Sequence, residues 1–98
     1  MNLPIDPATL AQFCSQNAIR RLSLFGSLQK GTHGPQSDVD LLVEFDVGEE
    51  PGLLGIAQME SELSQLLGGC PVDLRTASDL SRHFRDEVVR MAEVQYAR

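Results

Sequence analysis

The chain has 98 residues, a formal net charge of −6, few aromatics and no tryptophan. A chain of this length builds one hydrophobic core, so residues 1–98 are expected to form a single domain. Without clustered lysine and arginine or aromatic stacking platforms, it lacks the equipment to grip duplex or single-stranded nucleic acid, and no direct nucleic-acid partner is expected.

Cys14 and Cys70 sit neither in a Cys-x-x-Cys nor beside a histidine at metal spacing. That excludes a zinc knuckle and a disulfide framework, and it suits a reduced, cytoplasmic compartment. The start of the chain, Met1 to Asp6, has no basic region followed by an apolar run. No stretch approaches the length that spans a bilayer, so no membrane partner is expected.

In chain order, Asp6-Pro7 reads as an N-cap followed by proline at the first helical position, opening a helix to about Asn17. Arg20 to Phe25 reads as a strand ended by Gly26. Ser27 to Lys30 suits a short helical turn, and residues 31–36 a Gly/Pro loop. Asp38 to Phe45 is the clearest strand. Val39, Leu41, Val43 and Phe45 share one face; Asp38, Asp40 and Glu44 share the other, with Leu42 the exception.

An acidic Gly/Pro loop follows, then a helix from Leu53 to Leu67. Its helical period is broken only by Glu60, and Gly68-Gly69 stops it. Cys70 to Arg75 is a third strand, with Asp73 and Arg75 opposite Val72 and Leu74. A last helix, capped at Ser78 or Asp79, is expected through Leu80, Phe84, Val88 and Met91 to about Tyr96. Two strands with one apolar and one Asp-bearing face imply an α+β fold: a small sheet with helices packed on one face. Asp38, Asp40 and Asp73 would then lie on the open face.

Asp38 and Asp40 are two apart on a strand, so their Cα atoms are roughly 6.5–7 Å apart and their side chains point the same way. Such a pair suits Mg²⁺, which is held by one or two carboxylates together with substrate phosphates. With Asp73 as a third carboxylate, two ions about 3.5–4 Å apart can clamp an in-line displacement at phosphorus. Gly26 admits a phosphate close to the backbone, and Ser27 offers an N–H and a hydroxyl. Lys30, the only lysine, supplies a point charge for the terminal phosphates.

Each part has a plainer reading. An isolated Asp-x-Asp is a weak motif, Gly-Ser is most often a turn, and Asp73 suits the polar face of an edge strand. Arg75 can pair with Asp73 or with Glu44. An EF-hand is excluded because Leu42 stands where a third oxygen ligand is needed. A P-loop is excluded because no Gly-Lys-Ser/Thr follows Gly26. The order of the parts, however, is demanding.

Leu24-Phe25-Gly26-Ser27-x-x-Lys30-Gly31, followed by Ser37-Asp38-Val39-Asp40-Leu41-Leu42-Val43, resembles the DNA polymerase β-like nucleotidyltransferase superfamily, and its minimal nucleotidyltransferase branch in particular. The likeness runs from about Arg20 onward, with Val72-Asp73-Leu74 where the family carries its third carboxylate and residues 84–96 matching its closing helix. It implies a mixed sheet with helices on one face and Mg²⁺-dependent transfer of a nucleoside monophosphate from an NTP. Carried over by position, Asp38 and Asp40 ligate both ions, Asp73 completes the acceptor-side ion, and Gly26 and Ser27 bind the triphosphate. Where the family often has arginine directly after Gly-Ser and again two residues later, this chain has Leu28 and Lys30. Lys30 keeps the charge without the fork geometry.

Many minimal nucleotidyltransferases are antitoxins encoded beside a HEPN-type ribonuclease toxin, and some transfer AMP to a tyrosine of that toxin. The resemblance therefore implies an adenylyltransferase antitoxin that uses ATP and works in a hetero-oligomer with a HEPN-type toxin. Because the chain is short, the acceptor must bring its own binding surface. Two other readings stand beside it: an antitoxin that acts by complex formation alone, and a small-molecule nucleotidyltransferase that needs a second subunit.

Overall fold

A computed structural model describes residues 3–25, 39–83 and 85–98. The first helix, α1 (Pro7–Gln16), starts where the sequence places it: Asp6 Oδ2 accepts the Thr9 N–H at 3.2 Å, and Pro7 occupies a position that needs no donor. The helix buries Leu10, Phe13 and Cys14. Burial pushes the Cys14 thiol up to about 12, so this cysteine is a packing residue rather than a nucleophile. Ala18, at φ 56, occupies the left-handed region and turns the chain straight into the first strand.

Four strands form one mixed sheet in the order β3-β2-β1-β4. They are β1 (Ile19–Phe25), β2 (Val39–Phe45), β3 (Val72–Arg75) and β4 (Glu93–Ala97). β1 is antiparallel to both β2 and β4, and β2 is parallel to β3. The parallel pair is joined through helix α2 (Leu53–Leu66), because parallel neighbours need a long crossover. α2 ends at Leu67, and Gly68 and Gly69 follow at φ 80 and 97, conformations that cost glycine little.

The core lies between the sheet and the pair α1 and α2. Ile19, Leu22, Leu24, Leu41 and Leu63 are fully buried there. Each such side chain stabilises the fold by roughly 1.5–3 kcal/mol relative to exposure. The mixed sheet with helices packed on one face is the architecture the strand faces implied. The opposite face bears Asp40, Glu44, Asp73 and Arg75, yet its centre is not bare: Ser23 and Leu42, register partners, are both buried there. Leu42, the exception in the alternation of β2, is thus accounted for. No helix among the described residues is long and apolar enough to cross a membrane.

The end of the chain departs from the sequence reading. A single helix to Tyr96 does not form. A 3₁₀ turn (Ala77–Asp79) is capped by Thr76, whose backbone N–H and hydroxyl both donate to Asp79 Oδ2 at 3.0 Å and hold that carboxyl below its usual range. Helix α3 (Arg85–Met91) follows and stops before β4. β4 pairs with the outer edge of β1, placing Tyr96 against Leu22 and Val94 against Ser23. The helical period of Leu80, Val88 and Met91 is real but ends at Met91. Beyond it, an unpaired β1 edge and β-favouring Val94 and Tyr96 outweigh helix propensity.

Candidate active site

β2 and β3 run parallel, with Asp40 and Asp73 as register partners. Adjacent strands lie about 4.8 Å apart and in-register residues point to the same face. Two carboxylates from separate strands therefore stand side by side on the face away from α1 and α2. Phe25, the last described residue before Gly26, is the register partner of Asp40 across β1. Gly26, Ser27, Lys30 and Asp38, and the short helix expected over residues 27–30, lie outside the described residues.

Arg75 is two residues beyond Asp73 on the same strand face. Its Nε and Nη2 both donate to Asp73 Oδ2, at 3.2 and 2.9 Å. Between the alternatives open to Arg75, the fold selects Asp73. The Asp73 hydrogen bond and charge raise the guanidinium pKa, and the nearby charge of Asp40 adds to them. Glu44 is claimed instead by Arg20 and Arg21, at 3.5 and 3.4 Å. A bulge in β1 between Ile19 and Arg21 puts both arginines beside this one carboxylate.

The acidic exception in the apolar stripe of α2 also contributes. Glu60, the acid in the apolar stripe of α2, accepts the Leu74 N–H through Oε2 at 2.8 Å. β3 is an edge strand, and this bond occupies a backbone donor on it between Asp73 and Arg75. The signal was present in the sequence, since a carboxylate on a buried helix face needs a partner.

The donor set suits a small hard cation: Asp40 and Asp73 offer carboxylate oxygens, the ligand type and number that Mg²⁺ takes from a protein. Among the described residues no group of three or more His, Cys, Asp or Glu converges as a metal cage. Asp38, the third expected carboxylate, is not among the described residues. A cleft of about 470 Å³ lies elsewhere, between the start of α2 and the 3₁₀ turn, lined by Arg20, Glu44, Phe45, Ile56 and Asp79 among others. It borders the Glu44 end of β2, whereas Asp40 stands near the other end.

A family model for the nucleotidyltransferase domain matches residues 8–96. The chain belongs to this family. The nucleotidyltransferase is 40% identical over 78 residues to the protein adenylyltransferase MntA of Thermococcus cleftensis, covering 80% of this chain and 74% of the relative. Its fold matches a chain of a toxin–antitoxin crystal structure with AMP-PNP at a TM-score of 0.74, with 20% identity over 96% of this chain and 75% of that one. It also matches a chain of the complex of tri-AMPylated Shewanella oneidensis HEPN toxin with MNT antitoxin. There the TM-score is 0.65 and the identity 17%, over 94% of this chain and 70% of the other. At those identities the two structures speak for the fold alone, while the family match and the Thermococcus relative carry the enzyme class.

Proposed function

We propose that this nucleotidyltransferase is an Mg²⁺-dependent antitoxin that transfers AMP from ATP to a tyrosine hydroxyl of a cognate HEPN-type ribonuclease toxin. The observation that carries the reading is the register pairing of Asp40 with Asp73, which sets two carboxylates from different strands side by side. The protein adenylyltransferase name of the Thermococcus relative supports AMP as the transferred group, and the AMPylated HEPN complex supports the partner class.

In this reading the acceptor oxygen bonds to the α-phosphorus, the bond from that phosphorus to the bridging oxygen breaks, and pyrophosphate leaves with the electron pair. Bound Mg²⁺ supplies positive charge to the phosphate oxygens and acidifies the acceptor hydroxyl. Asp38 and Asp40 would hold the cations. Asp73, arriving from a separate strand, takes the acceptor side, where it positions the hydroxyl and draws off its proton. Gly26 and Ser27 hold the triphosphate and Lys30 meets its terminal phosphates. The start of that segment follows Phe25, which is paired with Asp40.

The test is incubation with the toxin encoded beside it, ATP and Mg²⁺, read by intact mass. The toxin gains mass in AMP units, on a tyrosine located by peptide sequencing. The reading fails if the wild type adds no mass or if the Asp38→Asn/Asp40→Asn double variant modifies the toxin equally well.

A further inference from the structure

The guanidinium of Arg75 lies where a cation held by Asp73 would have to compete with it. Two of its nitrogens converge on a single oxygen, Oδ2, and the pair is half-exposed, with the arginine and aspartate side chains 48% and 33% accessible. Asp73 and Arg75 lie on the same face of β3, in register with Asp40 and Leu42 of β2. Arg75 therefore stands one rung along from the carboxylate pair and diagonal to Asp40. Glu60 holds the backbone between the two residues through the Leu74 N–H, so β3 presents them as a unit. A divalent ion drawn to Asp73 would meet a like charge already hydrogen-bonded to one of its ligand oxygens, a repulsion kept modest by the exposure of both side chains.

We propose that Arg75 is a built-in competitor for Asp73: it occupies the acceptor-side carboxylate in the empty enzyme and must release it before a cation can bind there. This rests on the reading of Asp40 and Asp73 as cation ligands. In the empty protein the guanidinium offsets the repulsion between two adjacent carboxylates. The arrival of a polyanionic triphosphate offers the guanidinium other oxygens and frees Asp73. Cation binding at Asp73 is thereby coupled to nucleotide. Arg75 is a positioning residue, since it acts through the carboxylate rather than on the reacting atoms.

The experiment titrates Mn²⁺ into the full chain without nucleotide, at fixed ionic strength, counting free Mn²⁺ by electron paramagnetic resonance. The variants are Arg75→Gln, Asp73→Asn, the two combined, and Asp40→Asn, each checked for an unchanged thermal melt. Arg75→Gln binds Mn²⁺ roughly fivefold more tightly than wild type, the scale of one exposed charge pair. In the Asp73→Asn background the same substitution has no effect. The proposal is overturned if Arg75→Gln binds Mn²⁺ no more tightly than wild type, or if its gain survives Asp73→Asn and so reflects net charge alone. If wild-type binding is lost in Asp40→Asn while Arg75→Gln changes nothing, the competitor role fails and the cation site stands. If neither wild type nor Arg75→Gln binds Mn²⁺, both fall together.

Discussion

The two ends of β2 carry carboxylates on the same face, Asp40 and Glu44, about 13 Å apart along the strand. Their surroundings are opposite. At the Glu44 end one carboxylate meets two guanidiniums, because the β1 bulge brings Arg20 and Arg21 to it together. Asp46, just beyond, pairs with Arg98. At the Asp40 end a second carboxylate, Asp73, stands in register, and Arg75 pairs with it. The same residue class on the same strand face thus meets arginines of an antiparallel neighbour at one end and a second carboxylate from a parallel neighbour at the other. What each carboxylate on this face meets is set by which strands are its neighbours.

Neutralising substitutions at the two ends break the comparison most sharply. Asp73→Asn, like Asp40→Asn, should cut AMP transfer to the toxin at least about 100-fold, the scale on which removing a group that stabilises transition-state charge is felt. Glu44→Gln should leave the rate within about twofold, because exposed pairs with two arginines contribute little. Single-turnover mass measurements on both variants decide it; equal losses would show that the two ends do not differ.

The next effect is on stability and isolates the support beneath Asp73. Glu60→Ala leaves the Leu74 N–H without its acceptor and should cost about 1–3 kcal/mol in urea unfolding. Exchange of that amide should accelerate more than exchange at Leu41, its register partner on β2. Uniform acceleration would mean that Glu60 supports the whole fold rather than β3.

The smallest effect lies at the balanced end. Glu44→Gln should change unfolding free energy by no more than about 1 kcal/mol, and the difference should shrink as salt is raised. A large, salt-insensitive loss would mean that the arginine pairs hold the bulge in place.

Local signals were legible where a residue's chemistry acts on its own neighbours. The Asp6-Pro7 start of α1, the Gly68-Gly69 stop of α2 and the alternation of β2 all follow from capping, left-handed φ and a period of two. β4 was not legible, because the choice of strand over helix at residues 93–97 depends on the open edge of β1, which no local pattern announces. Glu60 was visible only as an exception, since its partner is a backbone donor fourteen residues away in another element. At the candidate site, the residue types and the Gly-Ser … Asp-x-Asp … Asp order could be read directly, while the pairing of Arg75 was one of two possibilities.

The sequence by itself determined α1, β1, β2, α2 and β3, the face on which Asp40 and Asp73 lie, and the family, because alternation and motif order are properties of the chain taken a few residues at a time. Tertiary structure alone decided that β2 and β3 are neighbours in this register, that Arg75 goes to Asp73 while Glu44 takes Arg20 and Arg21, and that the last segment is a strand. Those outcomes turn on which distant groups come within hydrogen-bonding or Coulombic reach. Strand order and register set that reach, and they are minimised over the whole chain at once.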